Sequence, residues 1–197
     1  MPEDTRKQVL VFRHGQTEWS LNGKHTSISD IDLTDKGRQD AVALRPIVAQ
    51  WKFSLVLCSP LKRARETCQL AGLDEVMEID PDLTEWNYGQ YEGMTTEEIR
   101  KQVPGWGIFS HPVPGGETPG DVAARCDRAI NRILETPGDV ALFAHGHYLR
   151  VFAARWLKLA PEQGAHFVLN TGSLNRLGYE HENRAILTWN ALRLEQQ

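Results

Sequence analysis

Residues 139–158, DVALFAHGHYLRVFAARWLK, decide the fold class of this chain. They open with a short apolar run, which is typical of a strand buried on both faces of a parallel sheet. After a Gly-containing turn, the residues from His147 to Lys158 follow a helical pattern, which Pro161 ends. A buried strand that leads through a turn into a helix is the repeating unit of an α/β protein.

The same alternation occurs twice more along the chain. Residues 8–13 (QVLVFR) and 54–58 (SLVLC) are apolar runs, and each is followed by a polar turn and a helical pattern. We therefore predict an α/β, three-layer sandwich with a mostly parallel central sheet and helices on both faces. Residues 1–197 show no internal repeat and no linker-like change in composition, so we expect a single domain.

Local signals predict several helix ends and a final hairpin. Ser and Thr residues precede the helical patterns as candidate N-caps, and Pro follows two of them. We expect one helix from Thr34 to about Ala49, with a kink at Pro46, and a second from Ser59-Pro60 to about Leu70. A third should begin at Thr95, with Glu98 as its capping partner, and a fourth should run from Thr118-Pro119 to about Thr136. Residues 173–179 and 184–190 are expected to form the two strands of the hairpin.

Charge and hydropathy limit the possible partners. The 197 residues include 22 Lys and Arg and 26 Asp and Glu, a net charge of -4, so the chain lacks the basic surface that nucleic-acid binding needs. No apolar run approaches the roughly 20 residues of a membrane span, and the opening MPEDTRKQ lacks an apolar signal core. We expect a cytoplasmic protein that binds neither nucleic acid nor a membrane, and the sequence leaves a homo-oligomer open.

The cysteines are expected to be buried free thiols. Cys58, Cys68 and Cys126 make an odd number without C-x-x-C spacing, and each lies in or beside an apolar segment. Disulfides and a zinc site are therefore not expected.

Three segments with ionisable side chains each follow a buried strand. Because ligands of open α/β sheets bind at the carboxyl ends of the strands, we expect these segments to meet at one edge of the sheet. The segments are RHGQT at 13–17, SPLKRARET at 59–67 and AHGH at 144–147, and the side chains expected to converge are Arg13, His14, Arg63 and His145.

This expected cluster favours an anion as its ligand. Two guanidinium groups and two imidazoles form a poor site for a metal cation but a good site for an oxyanion with nearly two negative charges. We therefore predict a phosphate site that needs no metal and no other cofactor. Gly15 and Gly146 directly follow the two histidines, where they would let the backbone approach the ligand and leave N–H groups free for it.

His14 and Glu85 are the candidates for the chemical step. An imidazole keeps one unprotonated ring nitrogen near neutral pH, so His14 can attack phosphorus directly. The alkoxide that leaves needs a proton donor, and Glu85 is the acidic candidate. Trp86, Tyr88 and Tyr91 flank Glu85, where they could desolvate it, and a bound phosphate dianion would also favour its protonated form.

Four motifs occur within residues 10–150: RHGQTEWS, SPLKRARET, EWNYGQYEG followed by GGET, and FAHGHYLR. In order and rough spacing they resemble the histidine phosphatase superfamily, the relatives of cofactor-dependent phosphoglycerate mutase. The resemblance implies a phosphoglycerate mutase-like fold and a metal-independent phosphatase, in which His14 is phosphorylated and Glu85 donates the proton. It assigns the phosphate pocket to Arg13, Arg63 and His145.

Within that family, the motifs are similar to those of sedoheptulose-1,7-bisphosphatase-like phosphatases of the fungal type. This resemblance implies a phosphorylated small molecule as the partner, namely a sugar phosphate or bisphosphate. Ser20 and Gly146 are further candidate contacts of the phosphate, and Thr26 and Tyr88 are the expected contacts with the rest of the substrate.

Two departures from the mutase pattern favour hydrolysis. Ser20 stands where the mutases have Asn, and their longer insert with paired arginines is missing here. Only a short segment separates Glu85 from Gly115, and its basic residues are Arg100 and Lys101. Because a mutase must hold a second acidic group of its substrate, the scarcity of cations argues for simple hydrolysis.

Several alternatives stay open. A phosphomutase would transfer phosphate between two hydroxyl groups, and a non-catalytic phosphate-binding module would need the arginines but no acid. His145 and His147 alternate along the chain and could hold a metal ion instead. Glu92 is the alternative proton donor.

The remaining histidines lie outside the motifs. For His25, His111, His166 and His181 we expect surface or loop positions rather than catalytic roles. Residues 94–114 are expected to cover the crevice.

Overall fold

A central sheet carries the segments that form the site. The computed structural model describes residues 6–191. The strands in this range are β1 (Val9–Arg13), β2 (Phe53–Cys58), β3 (Met77–Ile79), β4 (Asp139–Ala144), β5 (Leu174–Glu180) and β6 (Asn183–Ala191). They form one sheet in the order β3-β2-β4-β1-β5-β6. The first four strands run parallel, β5 is antiparallel to β1, and β6 is antiparallel to β5.

Helices follow the parallel strands. They are α1 (Glu18–Leu21), α2 (Asp35–Val42), α3 (Arg45–Val48), α4 (Lys62–Leu70), α5 (Thr96–Gln102), α6 (Pro119–Glu135) and α7 (Gly146–Trp156). Short 3-10 helices span Asp74–Val76, Pro81–Leu83, Gly89–Tyr91 and Pro161–His166.

Alternate residues of β1 pack into two different apolar clusters, because successive side chains of a strand point to opposite faces. On one face, Val9 and Val11 pack in a cluster with α6 and α7 residues such as Ile130 and Phe152. On the other, Leu10 and Phe12 share a cluster with Leu44, Val48, Ala64 and Cys68, which lie on or beside α3 and α4. The two covered faces confirm the predicted three-layer α/β sandwich.

One predicted helix is divided in the structure, and one strand was not predicted. The helix expected from Thr34 to Ala49 is two helices, α2 and α3. Pro46 lies in the first turn of α3, where its missing N–H donor is not needed. β3 has only three residues, so no alternation of polar and apolar positions could reveal it.

Ser59 is not the N-cap of α4, so that prediction is wrong. The helix begins at Lys62, and its N-cap residue Leu61 makes no side-chain capping bond. The Ser59 hydroxyl instead accepts the N–H of Leu61 at 3.3 Å and lies 2.7 Å from Nε2 of His145. A hydroxyl that the Ser-Pro pattern assigned to a helix end therefore belongs to the site.

Other predictions agree with the structure. Thr95 and Thr118 cap α5 and α6 with reciprocal side-chain bonds, and β5 and β6 form the expected hairpin. Cys58, Cys68 and Cys126 are free and buried. Among the described residues, no helix is both long and apolar enough to cross a membrane.

Candidate active site

His14 follows β1 directly and is 5% exposed. Its backbone N–H donates to Ala144 O at 3.1 Å, which ties it to the end of β4. The ring atom Nδ1 lies 2.7 Å from the carbonyl oxygen of Gly15. Because a carbonyl only accepts, Nδ1 carries the hydrogen, and Nε2 keeps the lone pair that a nucleophile needs.

Burial and charge keep this imidazole neutral. Burial lowers the pKa of His14 well below its ordinary value, and the nearby cations Arg63 and Arg13 lower this pKa further. Near neutral pH the Nε2 lone pair is therefore available without a separate base.

Gly15 is required by close packing against α2. A Cβ atom at this position would lie 2.4 Å from the carbonyl oxygen of Gly37 in α2. The Gly15 N–H donates to the Thr67 hydroxyl at 3.0 Å, and that hydroxyl donates to Arg63 O at 2.7 Å. The expectation that this N–H is free for a ligand is wrong. Thr67 instead joins the loop after β1 to α4.

Arg63 is fully buried and is held by the loop before α2. Its Nη1 donates to Ser29 O at 3.0 Å, and its Nη2 donates to Thr26 O at 3.0 Å and Ser27 O at 3.3 Å. The Nε atom is buried without a hydrogen-bond partner. Backbone carbonyls thus fix the direction of the guanidinium.

Arg13 is oriented in a similar way from the end of β1. Its Nη1 donates to Leu169 O at 2.6 Å, and its buried Nε has no partner. A Cβ atom on residue 146 would lie 3.1 Å from Cζ of Arg13, so Gly146 leaves the space that this guanidinium occupies.

His145 completes this side of the site as a neutral hydrogen-bond donor. Its ring centroid is 5.2 Å from that of His14, and burial and Arg63 hold its pKa well below the ordinary value. Ser59 Oγ accepts a backbone N–H and has one hydrogen to donate, which we assign to Nε2 of His145 at 2.7 Å. The ring hydrogen then lies on Nδ1, which is buried without a partner.

Three buried donors of the site therefore have no acceptor among residues 6–191. They are Nε of Arg13, Nε of Arg63 and Nδ1 of His145. Buried donors without partners are rare because desolvating them costs free energy. An oxyanion would satisfy all three with charge-assisted hydrogen bonds.

Glu85 is 5% exposed and sits at the N-terminus of α7. Its Oε1 accepts the N–H groups of Trp86 and Tyr148, both at 2.8 Å, and its Oε2 accepts that of His147 at 3.1 Å. The carboxyl oxygens thus accept three backbone N–H groups, which differ from the apolar surroundings that the sequence suggested. The N-terminus of α7 holds this acid and does not offer those N–H groups to phosphate.

Glu92, the alternative acid, has a structural role. Its carboxylate accepts the N–H of Ser27 at 2.9 Å and that of Ser29 at 3.1 Å. It therefore shapes the loop that holds Arg63 and does not line the cavity.

A cavity of about 250 Å³ opens at this edge of the sheet, and the predicted residues line it except Arg63 and His145, which are fully buried behind its wall. Its wall contains most of them, together with residues that the sequence did not single out. The lining residues are Arg13, His14, Thr17, Ser20, Gly23, Lys24, His25, Thr26, Glu85, Tyr88, Thr96, Gly146, His147, Arg150 and Leu169.

Ser20, Thr26 and Tyr88 reach this cavity with hydroxyl groups that already have partners. Ser20 Oγ donates to Thr17 O at 2.8 Å within the capping box of α1, and Thr26 Oγ1 donates to Lys24 O at 3.1 Å. Tyr88 Oη lies 2.6 Å from Nδ1 of His147.

His25 was expected at a surface or loop position rather than in a catalytic role. It lies in a loop, but it is 8% exposed and lines the cavity. Its ring packs 4.7 Å from Tyr88 and 5.7 Å from His147, and burial lowers its pKa to about 4. No motif could reveal this position, because the packing depends on tertiary structure.

Cations reach the cavity from segments outside the one between Glu85 and Gly115. Lys24 and Arg150 both line it. Lys101 instead lies 3.5 Å from Glu97 on the surface. The count of cations near Glu85 therefore understates the positive charge that a substrate meets.

Residues 94–114, which were expected to cover the crevice, form a packed segment beside it. From residues 94–114, Thr96 lines the cavity. Trp106 and Phe109 are buried, and their rings lie 5.4 Å from His25 and 5.7 Å from His147, respectively.

The chain matches the family model of the histidine phosphatase superfamily (branch 1) over residues 9–192. It is 38% identical to an acid phosphatase of Mycobacterium tuberculosis over 91% of this chain and 90% of that protein. It is 34% identical to sedoheptulose 1,7-bisphosphatase of Saccharomyces cerevisiae, over 83% of this chain and 72% of that protein. A 2,3-bisphosphoglycerate-dependent phosphoglycerate mutase of Sinorhizobium fredii is 33% identical over 83% of this chain and 86% of that protein.

The fold has a close counterpart among solved structures. The structure of an open reading frame product of Mycobacterium tuberculosis superposes with a TM-score of 0.88 and 36% identity, over 93% of this chain and 97% of that one. Fold, site and sequence agree, and the chain belongs to the histidine phosphatase superfamily. Within it, the chain is a phosphoric monoester hydrolase.

Proposed function

We propose that this enzyme hydrolyses a small phosphate monoester through a phosphohistidine on His14, without a metal ion. The observation that carries the proposal is the set of three unpaired buried donors on Arg13, Arg63 and His145: the His145 ring lies 5.2 Å from that of His14, and the two guanidinium charges lower the pKa of His14. Arg13, Arg63 and His145 would bind the oxygens of the reacting phosphoryl group and stabilise the charge that develops on them. Gly146 and Ser20 line the same cavity.

The first step moves the phosphoryl group to the enzyme. Nε2 of His14 forms a bond to phosphorus as the bond between phosphorus and the ester oxygen breaks, and the leaving alkoxide takes a proton from Glu85. Three backbone N–H groups hold the Glu85 carboxyl group in position for this transfer.

The second step regenerates the enzyme. Glu85, now a carboxylate, takes a proton from a water molecule, and the oxygen of that water attacks phosphorus as the bond to His14 breaks. Inorganic phosphate leaves, His14 is neutral again, and Glu85 carries the proton for the next cycle.

We propose a sugar phosphate or bisphosphate as the substrate. The support is the likeness to a protein named sedoheptulose 1,7-bisphosphatase and a cavity wall that offers polar groups, among them Thr26 and Tyr88. The cytoplasm is the proposed location, and small phosphorylated molecules are the proposed partners.

A phosphate-release assay tests this function. Wild type should release inorganic phosphate from sugar phosphates and from p-nitrophenyl phosphate in the presence of EDTA, and His14→Asn should not. The surface variant His181→Asn is the matched control, because His181 is exposed and far along the chain in the β5-β6 turn. Loss of activity with EDTA that added metal restores, or full activity of His14→Asn, would contradict the proposal.

A phosphomutase is the second candidate, and Lys24 and Arg150 in the cavity wall are the observation that favours it. These cations could hold the second anionic group of a phosphoglycerate. Incubation with 3-phosphoglycerate distinguishes the two functions, since a mutase yields 2-phosphoglycerate without net release of phosphate. Isomerisation much faster than phosphate release would establish the mutase.

A further inference from the structure

The GGET motif at 115–118 supplies no group to the proposed chemistry, but its Glu117 forms an ion pair with Arg125 of α6. Nε of Arg125 donates to Oε1 of Glu117 at 2.8 Å, and Nη2 donates to Oε2 at 2.9 Å. The two side chains are only 14% and 22% exposed. A planar guanidinium that meets a carboxylate through two parallel bonds fixes the direction of both groups.

Arg125 also binds the chain just before Glu85. Its Nη1 donates to Asp82 O at 2.6 Å and to Thr84 O at 2.8 Å. The carbonyl group of Thr84 belongs to the planar peptide unit that leads into Glu85. The guanidinium therefore holds the backbone on the N-terminal side of the acid.

Glu117 binds the chain just after Glu85. Its Oε2 accepts the Asn87 N–H at 2.8 Å, and its own N–H donates to Asn87 O at 3.0 Å. Its backbone oxygen accepts Nε1 of Trp86 at 2.9 Å. A Cβ atom at Gly116 would lie 2.3 Å from Asn87 O, so the two segments lie too close together for a side chain there. The GGET motif therefore holds the backbone on the C-terminal side of the acid.

The same ion pair contacts the groups that bind the carboxyl oxygens of Glu85. Trp86 and Tyr148 donate their N–H groups to Oε1 of Glu85, both at 2.8 Å. Trp86 is bonded to Glu117, and Cζ of Arg125 lies 5.2 Å from the centroid of the Tyr148 ring. A shift of either charged partner would therefore reach the carboxyl group of Glu85.

We propose that Glu117 and Arg125 are positioning residues for Glu85, because their ion pair fixes the backbone on both sides of the acid and so directs its carboxyl group toward the leaving oxygen. Neither side chain lines the catalytic cavity, so they act through Glu85 and do not touch the substrate. This inference rests on the proposed function, in which Glu85 protonates the leaving group. A pair that only stabilised the fold would affect all substrates alike.

Two aryl phosphates of similar shape test the proposal. Phenolate is far more basic than p-nitrophenolate, so phenyl phosphate depends more strongly on a proton donor. In Glu117→Gln, which keeps the size of the side chain but removes its charge, kcat/KM for phenyl phosphate should fall roughly 10- to 100-fold, the loss that a small displacement of a catalytic group causes. For p-nitrophenyl phosphate the loss should be much smaller.

Combination with Glu85→Gln gives a second readout. Glu85→Gln alone should show the same selective loss on phenyl phosphate. Adding Glu117→Gln to it should lower kcat/KM for phenyl phosphate little further, because the acid that the pair positions is already absent.

Arg125→Lys is the second variant, in case Glu117→Gln does not fold. It keeps a positive charge beside Glu117 but loses the planar fork, so the same selective loss is expected. Asp127→Asn is the matched control on α6. Asp127 pairs with Arg155 through bonds of 2.9 and 3.0 Å, and within residues 6–191 neither of them is hydrogen-bonded to residues 82–87. This variant should show no difference between the two substrates.

The outcomes separate the positioning role from the function itself. Equal losses on both substrates in the Glu117 and Arg125 variants, or wild-type values on both, overturn the positioning role. A full additional loss in the Glu85→Gln background also overturns it. Equal losses on the two substrates in Glu85→Gln itself instead overturn Glu85 as the proton donor of the proposed function, and the inference with it.

Discussion

The hydroxyl of Ser59 lies 2.7 Å from Nε2 of His145, and the opposite ring nitrogen of that histidine is buried without a partner. Ser59 follows β2 and His145 follows β4, and these strands are neighbours in the sheet. The pairing of two parallel strands therefore decides which nitrogen of His145 carries the hydrogen, and so whether the ring can donate to an anion.

Replacing Ser59 should disturb the tautomer of His145. In Ser59→Ala the ring loses its donor at Nε2, so both tautomers become populated and kcat/KM should fall roughly 10- to 100-fold, the usual effect of losing such an orienting partner. Nitrogen-15 NMR of the histidine rings should show Nδ1 of His145 fully protonated in wild type and a mixture of the two tautomers in Ser59→Ala. An unchanged NMR signature in an inactive variant would contradict this role of Ser59.

Removing the Thr67 hydroxyl should loosen the link between the His14 loop and α4. Thr67→Val keeps the shape but leaves the buried Gly15 N–H without an acceptor, so the free energy of unfolding should fall by about 1–3 kcal/mol. Urea denaturation measures this change. Thr67→Ser keeps the hydroxyl and is the matched control, and an equal loss in both variants would show that packing matters and the hydrogen bond does not.

His25 should make the protein less stable in acid. Its pKa is about 4 in the folded chain and about 6.5 when exposed, so the unfolded state binds more protons in between. The stabilisation is complete above the unfolded pKa and is lost as pH falls from about 6.5 toward 4.

Urea denaturation at pH 7 and pH 5 checks this effect. The loss of unfolding free energy between these pH values should be about 2 kcal/mol smaller in His25→Gln than in wild type. An equal loss in the two proteins would mean that His25 is not held in its neutral form by folding.

Glu85→Gln should separate substrates by their leaving groups. An alkoxide needs the proton of Glu85, so kcat/KM for a sugar phosphate should fall roughly 100- to 10,000-fold. p-Nitrophenolate leaves without a proton, so kcat/KM for p-nitrophenyl phosphate should change far less. Equal losses on both substrates would rule out Glu85 as the proton donor.

The sequence predicts those parts of the fold and site that depend on local patterns. The apolar runs of β1, β2 and β4 predict the parallel sheet, and the residues directly after them are brought together by its topology. Arg63 is one of several cations in its helix, and the family resemblance, not the periodicity, selects it.

The parts that escape prediction depend on tertiary contacts. Ser59 has the sequence signal of a helix cap, and only the position of His145 on a neighbouring strand gives its hydroxyl another partner. Arg150 looks like any polar residue of an amphipathic helix, and its place in the cavity wall follows from Phe109 and Gly164 packing against it.

Mapping the phosphorylated residue tests the central claim most directly. Wild type and Glu85→Gln are mixed with p-nitrophenyl phosphate, quenched in base within milliseconds and digested, and the peptides are analysed by mass spectrometry. We predict an acid-labile, base-stable phosphate on His14 that accumulates further in Glu85→Gln because its hydrolysis lacks a base. Phosphate on a serine, or turnover without any phosphorylated peptide in either protein, would contradict the account.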